Sequence, residues 1–178
     1  MSRVAAVVLA AGAATRFGAP KQELLLPEVL RRLESSPVDE IVVVEGAYGL
    51  RDSLLQGRAR LVRCAEWEQG PGASLRCALA ALEDDVAAAV VVLADGPRVS
   101  PDAIERVITS WRDEGGEVVA ASYGGVRGHP LLLTRSRWSD VPDEGLRVAS
   151  PRLVPCDDLG APGDVDTPGD LEALGRDG

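Results

Sequence analysis

Apolar runs, most of them rich in β-branched residues, recur at residues 4–9, 41–44, 61–62, 86–93 and 118–121, and helix-like stretches separate most of them. That alternation predicts an α/β fold whose mostly parallel strands are buried under helices. Helical spacing is plainest after Ser100-Pro101, an N-cap serine followed by proline at the first helical position, where Ile104, Val107, Ile108 and Trp111 share one face. Thr167-Pro168 repeats this start for a short helix through Leu171 and Leu174, and Leu75, Leu79 and Leu82 mark a further apolar helix face. Core packing explains these stripes without any ligand. Residues 122–152 are looser, because Gly124, Gly125, Gly128, Pro130, Pro142, Gly145 and Pro151 break up short runs such as 131–134. Such a region serves either as ordinary connecting structure or as a substrate-binding insertion.

With 178 residues, no internal repeat and no low-complexity linker, the chain is expected to form one domain over 1–178. Hydrophobic residues make up 46% but aromatic ones only 3%, so the core has to be built from Val, Leu, Ile and Ala. A formal net charge of -9 argues against a nucleic-acid or anionic-membrane surface, since both need a basic footprint, yet it allows a local cationic pocket. Cys64, Cys77 and Cys156 show no Cys-x-x-Cys spacing and accompany a single histidine, so neither a disulfide framework nor a zinc site is expected. The short apolar run after Arg3 lacks the features of a secretory signal, and no stretch is long enough to span a bilayer. A cytoplasmic location is expected.

Two of the apolar runs end in loops that can carry chemistry. The first, after Leu9, reads Ala10-Ala11-Gly12-Ala13-Ala14-Thr15-Arg16-Phe17-Gly18-Ala19-Pro20-Lys21 and contains the only lysine of the chain. Small residues let the backbone approach a ligand closely, exposed N–H groups bind anions, and Arg16 and Lys21 add two cationic side chains. The loop is neither a Walker A motif nor a dinucleotide fingerprint, because Gln22 follows the lysine and no Gly-x-Gly-x-x-Gly occurs. Asp95, in the second loop, ends a wholly apolar run, where a carboxylate calls for a cap, a cation or a metal; facing a phosphate site it is a typical Mg²⁺ ligand. Asp164 and Asp166 near the C-terminus supply further carboxylates, with helix N-capping as the plain alternative. If the strands at 4–9 and 86–93 are neighbours, both loops open onto one crevice at the carboxyl ends of the sheet.

Together these pieces resemble the molybdenum-cofactor type of nucleotidyltransferase, the MobA/MocA-like NTP transferases. The resemblance runs through Leu9-Ala10-Ala11-Gly12 with Arg16, Gly18 and Lys21; Trp67 to Gly70 with Ser74-Leu75; Leu93-Ala94-Asp95 with Pro97; Gly128-His129-Pro130; and Asp164 to Pro168 with Asp170-Leu171. It implies a Rossmann-like three-layer sandwich of the glycosyltransferase-A kind. It also implies that Leu9, Ala10, Ala11, Gly12, Arg16, Lys21 and Asp95 bind the nucleotide, with Lys21, Arg16 and Asp95 catalytic. Asp95 and Asp166 would hold Mg²⁺, and Ser74, Gly128, His129 and Pro130 would meet the acceptor. The Ala10-Ala11 pair is closer to cytidylyl-transferring members, which makes CTP the expected donor, a phosphorylated small molecule such as molybdopterin the acceptor, and a molybdoenzyme or its chaperone the recipient. No nucleic acid or membrane is implied.

The chain departs from that pattern after Lys21, where Leu24-Leu25-Leu26-Pro27 passes straight to Val29-Leu30, and at Gly96, where glutamine is common. The stretch from Asp143 to Arg147 also matches only in part. Two other functions stay open at this point: a nicotine-blue type oxidoreductase using NAD(P)H in the same crevice, and a nucleotide or cofactor carrier without turnover.

Overall fold

The computed structural model describes residues 1–11, 21–47, 49–55, 57–163 and 168–174. In chain order the elements are β1 (Arg3–Leu9), α1 (Lys21–Glu34), β2 (Glu40–Glu45), β3 (Ala59–Arg63), α2 (Pro71–Ala80), β4 (Val86–Leu93), α3 (Pro101–Glu114), β5 (Val118–Tyr123), β6 (Val126–Thr134), β7 (Arg152–Pro155) and α4 (Pro168–Leu174), with short 3₁₀ turns between some of them. The strands form one seven-stranded sheet in the order β3-β2-β1-β4-β6-β5-β7. Every neighbouring pair is parallel except the two made by β6, which runs against both β4 and β5. The expected mostly parallel α/β sandwich is therefore the observed one.

Alternate residues of each central strand serve opposite faces, as the two-residue period requires. Val4, Ala6 and Val8 of β1 pack with Leu26, Val29, Leu30 and Leu33 of α1 and with Ile104, Val107 and Ile108 of α3. Ala5 and Val7 pack on the other face with Leu75, Ala78 and Leu79 of α2. β1 and β4 read as continuous apolar runs because both of their faces are covered. The helix starting at Pro101 is capped as expected, its Ser100 side chain accepting from the Ala103 N–H at 3.4 Å. The Thr167 cap lies outside the described residues. Among those residues no helix is long and apolar enough to cross a membrane.

Three expectations need correction. Residues 122–152 hold β6, a nine-residue strand in the middle of the sheet, where only a short run at 131–134 stood out. Gly128 and Pro130 conceal it, since both are depleted in strands and break the apolar pattern. Leu82 lies beyond the end of α2 yet still packs into the α2 face of the core. Cys64 and Cys77 are joined as a disulfide, with Cα atoms 5.7 Å apart, while Cys156 is free and buried. Their 13-residue separation carries no local signal; the turn from the end of β3 into α2 brings them together. The segment that passes straight from Leu26 to Val29 is uninterrupted α1, with Pro27 on its exposed side.

Candidate active site

The strand order reverses at β1. β2 and β3 lie on one side of it and β4 on the other, so the carboxyl ends of β1 and β4 flank a topological switch point. Leu9 is registered with Leu93, and the Ala94 N–H donates to the Leu9 carbonyl at 3.1 Å. On the other side the Ala10 N–H donates to the Val44 carbonyl at 3.1 Å, and the Ala47 N–H to the Ala11 carbonyl at 3.4 Å. Ala10 and Ala11 are thus held between the ends of β2 and β4, and both are buried. Asp95, two residues past β4, is half-buried at the same end of the sheet. The condition set for a shared crevice, that the strands at 4–9 and 86–93 are neighbours, is met.

Of the loop residues, Gly12 and Arg16 lie outside the described ones, as do Asp164 and Asp166. Lys21 is the first residue of α1. Gly163 lies against the loop that follows β4: a methyl group placed on Gly96 would stand 3.4 Å from the Gly163 carbonyl oxygen.

β6 forms a wall beside this crevice. Its pairing with β4 sets Leu131 against Val91, so Arg127, Gly128 and His129 continue past the paired stretch. Two clefts share Leu93, Arg127, Gly128 and His129. One, of about 530 Å³, reaches Leu9, Pro71, Leu75 and Gly145; the other, of about 400 Å³, reaches Gly96, Val99, Tyr123 and Gly163. Gly128 and His129 therefore line both, whereas Ser74, in the first turn of α2, and Pro130 are buried and line neither. Burial pushes the His129 imidazole below its ordinary pKa; the Asp95 carboxylate opposes that shift and Arg127 adds to it. This histidine is thus within electrostatic reach of Asp95 and is held neutral near pH 7. Tyr123 donates its hydroxyl to the His129 carbonyl at 2.8 Å, and burial raises the Tyr123 pKa to about 12, so it stays a donor.

Arg127 is the residue that sequence reasoning passed over. Its guanidinium donates to the carbonyls of Leu146, Ala149 and Arg147 at 2.9, 2.8 and 2.9 Å, tying β6 to the 3₁₀ turn that lines the larger cleft. Nothing in a lone arginine beside a glycine announces three carbonyl partners some twenty residues on. The opposite wall is set by glycines. The Gly72 N–H donates to the Asp143 carbonyl at 3.0 Å, and a Cβ on Gly72 would fall 1.6 Å from the Pro142 carbonyl oxygen. Gly70, with φ 132°, would bring a Cβ within 2.4 Å of the Asp143 oxygen. The N-terminus of α2 can sit against residues 142–145 only without side chains at these two positions.

No curated protein matches the chain significantly. Among solved structures, the Rv0371c homologue from Mycobacterium sp. strain JC1 is 27% identical, with 99% of this chain and 96% of that one covered and a TM-score of 0.81. Rv0371c of Mycobacterium tuberculosis H37Rv in complex with manganese is 25% identical over 97% of each chain, TM-score 0.72. The 2-C-methyl-D-erythritol 4-phosphate cytidylyltransferase of Francisella tularensis is 15% identical over 98% of this chain and 99% of that one, TM-score 0.72, and shares the fold. The profile of the MobA-like NTP transferase domain matches residues 6–147, which take in both strands of the switch point, the α2 wall and β6. On that match the chain belongs to the MobA-like NTP transferase domain family and is a nucleotidyltransferase.

Proposed function

We propose that the chain moves CMP from CTP onto a phosphorylated small molecule of the molybdopterin type, releasing pyrophosphate, with Mg²⁺ bound in the crevice. The observation that carries this reading is the juxtaposition at the switch point, small residues ending β1 and a carboxylate following β4. In this reading Leu9, Ala10, Ala11 and Gly12 present backbone to the nucleotide, and Arg16 and Lys21 meet the triphosphate. The choice of CTP rests on the Ala10-Ala11 pair.

The donor chemistry fits Mg²⁺, a hard cation that keeps several waters and takes one or two carboxylates together with phosphate oxygens. Asp95 offers one such carboxylate. Gly163 lies against Gly96, and Asp166, which falls outside the described residues, is the second carboxylate of this proposal; these two side chains would hold the ion. When bound, the metal offsets charge on the triphosphate and its leaving group. The manganese named for Rv0371c is consistent with a divalent cation here.

No general base is required of the protein. A phosphate monoester has its second pKa at about 6, so the attacking oxygen of the acceptor is largely ionised at neutral pH. What remains is positioning and charge stabilisation as that oxygen attacks the α-phosphorus and the bond to pyrophosphate breaks. Neutral His129 suits positioning, because it adds no charge and can hydrogen-bond the acceptor, with Gly128 and Pro130 shaping the wall and Ser74 supporting it from α2. The cytoplasm is the compartment we assign, with a molybdoenzyme or its chaperone receiving the product. Family membership does not favour the nicotinamide-dependent alternative.

Calorimetric titration of CTP, GTP, ATP and NADPH, each with and without Mg²⁺, tests this. CTP is expected to bind most tightly and to need the metal, and pyrophosphate release is expected on adding molybdopterin. NADPH binding without metal-dependent triphosphate binding would overturn the proposal.

A further inference from the structure

Cys64, Cys77 and Glu66 form a side-chain cluster that the nucleotidyl chemistry does not use. Cys64 follows β3 and is buried, Cys77 is a partly exposed residue of α2, and Glu66 Oε2 lies 3.8 Å from each sulfur. Among the described residues this is the one group of three metal-ligating or thiol side chains that converge. The Cα separation of 5.7 Å falls inside the span of roughly 4.4–6.8 Å that a disulfide bridges.

The segment between the two sulfurs packs on the end of β2 and on residues 142–145. Gly46 abuts Trp67, since a Cβ there would fall 2.5 Å from the Trp67 side chain and 3.0 Å from the Ala11 carbonyl oxygen. Gly70 and Gly72 pack on residues 142–145, and Pro71 and Leu75 line the larger cleft. A covalent tie between Cys64 and Cys77 therefore fixes the piece of chain that stands between the end of β1 and the cleft wall.

We propose that Cys64 and Cys77 are a reversible dithiol–disulfide couple, oxidised by a low-molecular-weight disulfide, whose closure orders the Trp67–α2 wall and tightens nucleotide binding. The exchange balances with such a disulfide as sole oxidant. The accessible Cys77 thiolate attacks one of its sulfurs, forming a mixed disulfide and expelling one thiol. The Cys64 thiolate then attacks the Cys77 sulfur, forming the internal bond and expelling the second. Two protein thiols are oxidised, one disulfide is reduced to two thiols, and the two protons end on those thiols. Once the bridge is reduced, Glu66 Oε2, 3.8 Å from each sulfur, is placed to accept an S–H hydrogen bond, and its negative charge disfavours the attacking thiolate. In a compartment kept reducing, disulfides of this kind are transient and redox-sensing rather than structural. The affinity part of the inference rests on the crevice being the nucleotide site; the bridge and its effect on the wall do not.

The full chain is equilibrated in glutathione buffers from fully reduced to fully oxidised, alkylated and mapped by mass spectrometry. Amide exchange of residues 65–76 and Mg²⁺–CTP affinity are measured in each end state. The Cys64–Cys77 bridge is expected to form and to be reversed by reduced glutathione, leaving Cys156 alkylated only on unfolding. Exchange at 65–76 should slow on oxidation, and affinity should rise about three- to tenfold through preorganisation. Cys77→Ser is expected to behave as the reduced protein in both buffers. Absence of the bridge at every glutathione ratio, exchange that does not change with it, or equal affinities in the two states would overturn the proposal. So would 1:1 capture of added Zn²⁺ by the reduced protein that blocks bridging. If no triphosphate binds in either state, the assignment of the nucleotide site fails, and the couple is decided by bridge and exchange alone.

Discussion

Gly72→Ala puts the packing of α2 against residues 142–145 under direct strain. The new Cβ would lie 1.6 Å from the Pro142 carbonyl oxygen, 2.7 Å from the Pro142 carbonyl carbon and 3.0 Å from that of Asp143, all backbone atoms that no rotamer change can remove. The two segments must part by about 1.4 Å before the nearest contact reaches even a tight 3.0 Å. That movement breaks or stretches the Gly72 N–H bond to the Asp143 carbonyl and bears on the Gly145 N–H bond to the Pro142 carbonyl, 3.0 and 2.9 Å long. Two hydrogen bonds at about 1 kcal/mol each, with about 1–2 kcal/mol for overpacking, give a loss of roughly 3–4 kcal/mol. For a chain of this size that is a fall in melting temperature of about 6–16 °C. Thermal and urea unfolding followed by circular dichroism measure it. Gly124→Ala is the control, because at φ 59° with nothing within 4 Å it carries backbone strain alone, about 1–2 kcal/mol. A Gly72→Ala protein as stable as the parent, or no worse than Gly124→Ala, would refute the described contact between α2 and the cleft wall.

Three further outcomes are expected. The Glu28 carboxyl is held at about 2, chiefly by its hydrogen bond to Arg31 and then by Arg32, against the opposing effect of desolvation. Because this pKa is lowered by folding, its stabilisation is complete above the unfolded-state value and is lost as pH falls toward 2; Glu28→Gln should therefore lower stability at pH 7, modestly because the pair is screened by solvent, and flatten the acid-unfolding curve between about pH 4.5 and 2, where variant and parent converge. Ser100→Ala removes the cap on α3 and should cost about 1 kcal/mol in urea unfolding. Arg127→Ala releases three carbonyls of the 146–149 turn and should weaken nucleotide binding more than it lowers the melting temperature, read by calorimetry beside a thermal scan.

The central sheet was legible because its strands are buried on both faces and so read as unbroken apolar runs: the limits expected for the 86–93 run are those of β4. The helix at Pro101 was legible for a different reason, since its cap and its first-turn proline are local signals. β6 was hidden, because it gains its strand character from pairing with β4 and β5 rather than from its own residues, two of which oppose a strand. The switch point could be anticipated only as a condition, as strand order is a long-range property. Asp95 and His129 were candidates from their motifs, but their electrostatic coupling, the three-carbonyl grip of Arg127 and the Cys64–Cys77 bridge all join residues that only the folded chain brings together.

The central claim is a metal-dependent nucleotidyl site at the ends of β1 and β4, and Asp95→Ala tests it most directly. Mg²⁺–CTP binding and pyrophosphate release are measured on the variant and the parent, with circular dichroism to compare their folds. The variant is predicted to stay folded, to lose the Mg²⁺ dependence of CTP binding and to turn over at least about a hundredfold more slowly. A folded Asp95→Ala protein that keeps Mg²⁺-dependent binding and turnover at the parent level would contradict the account.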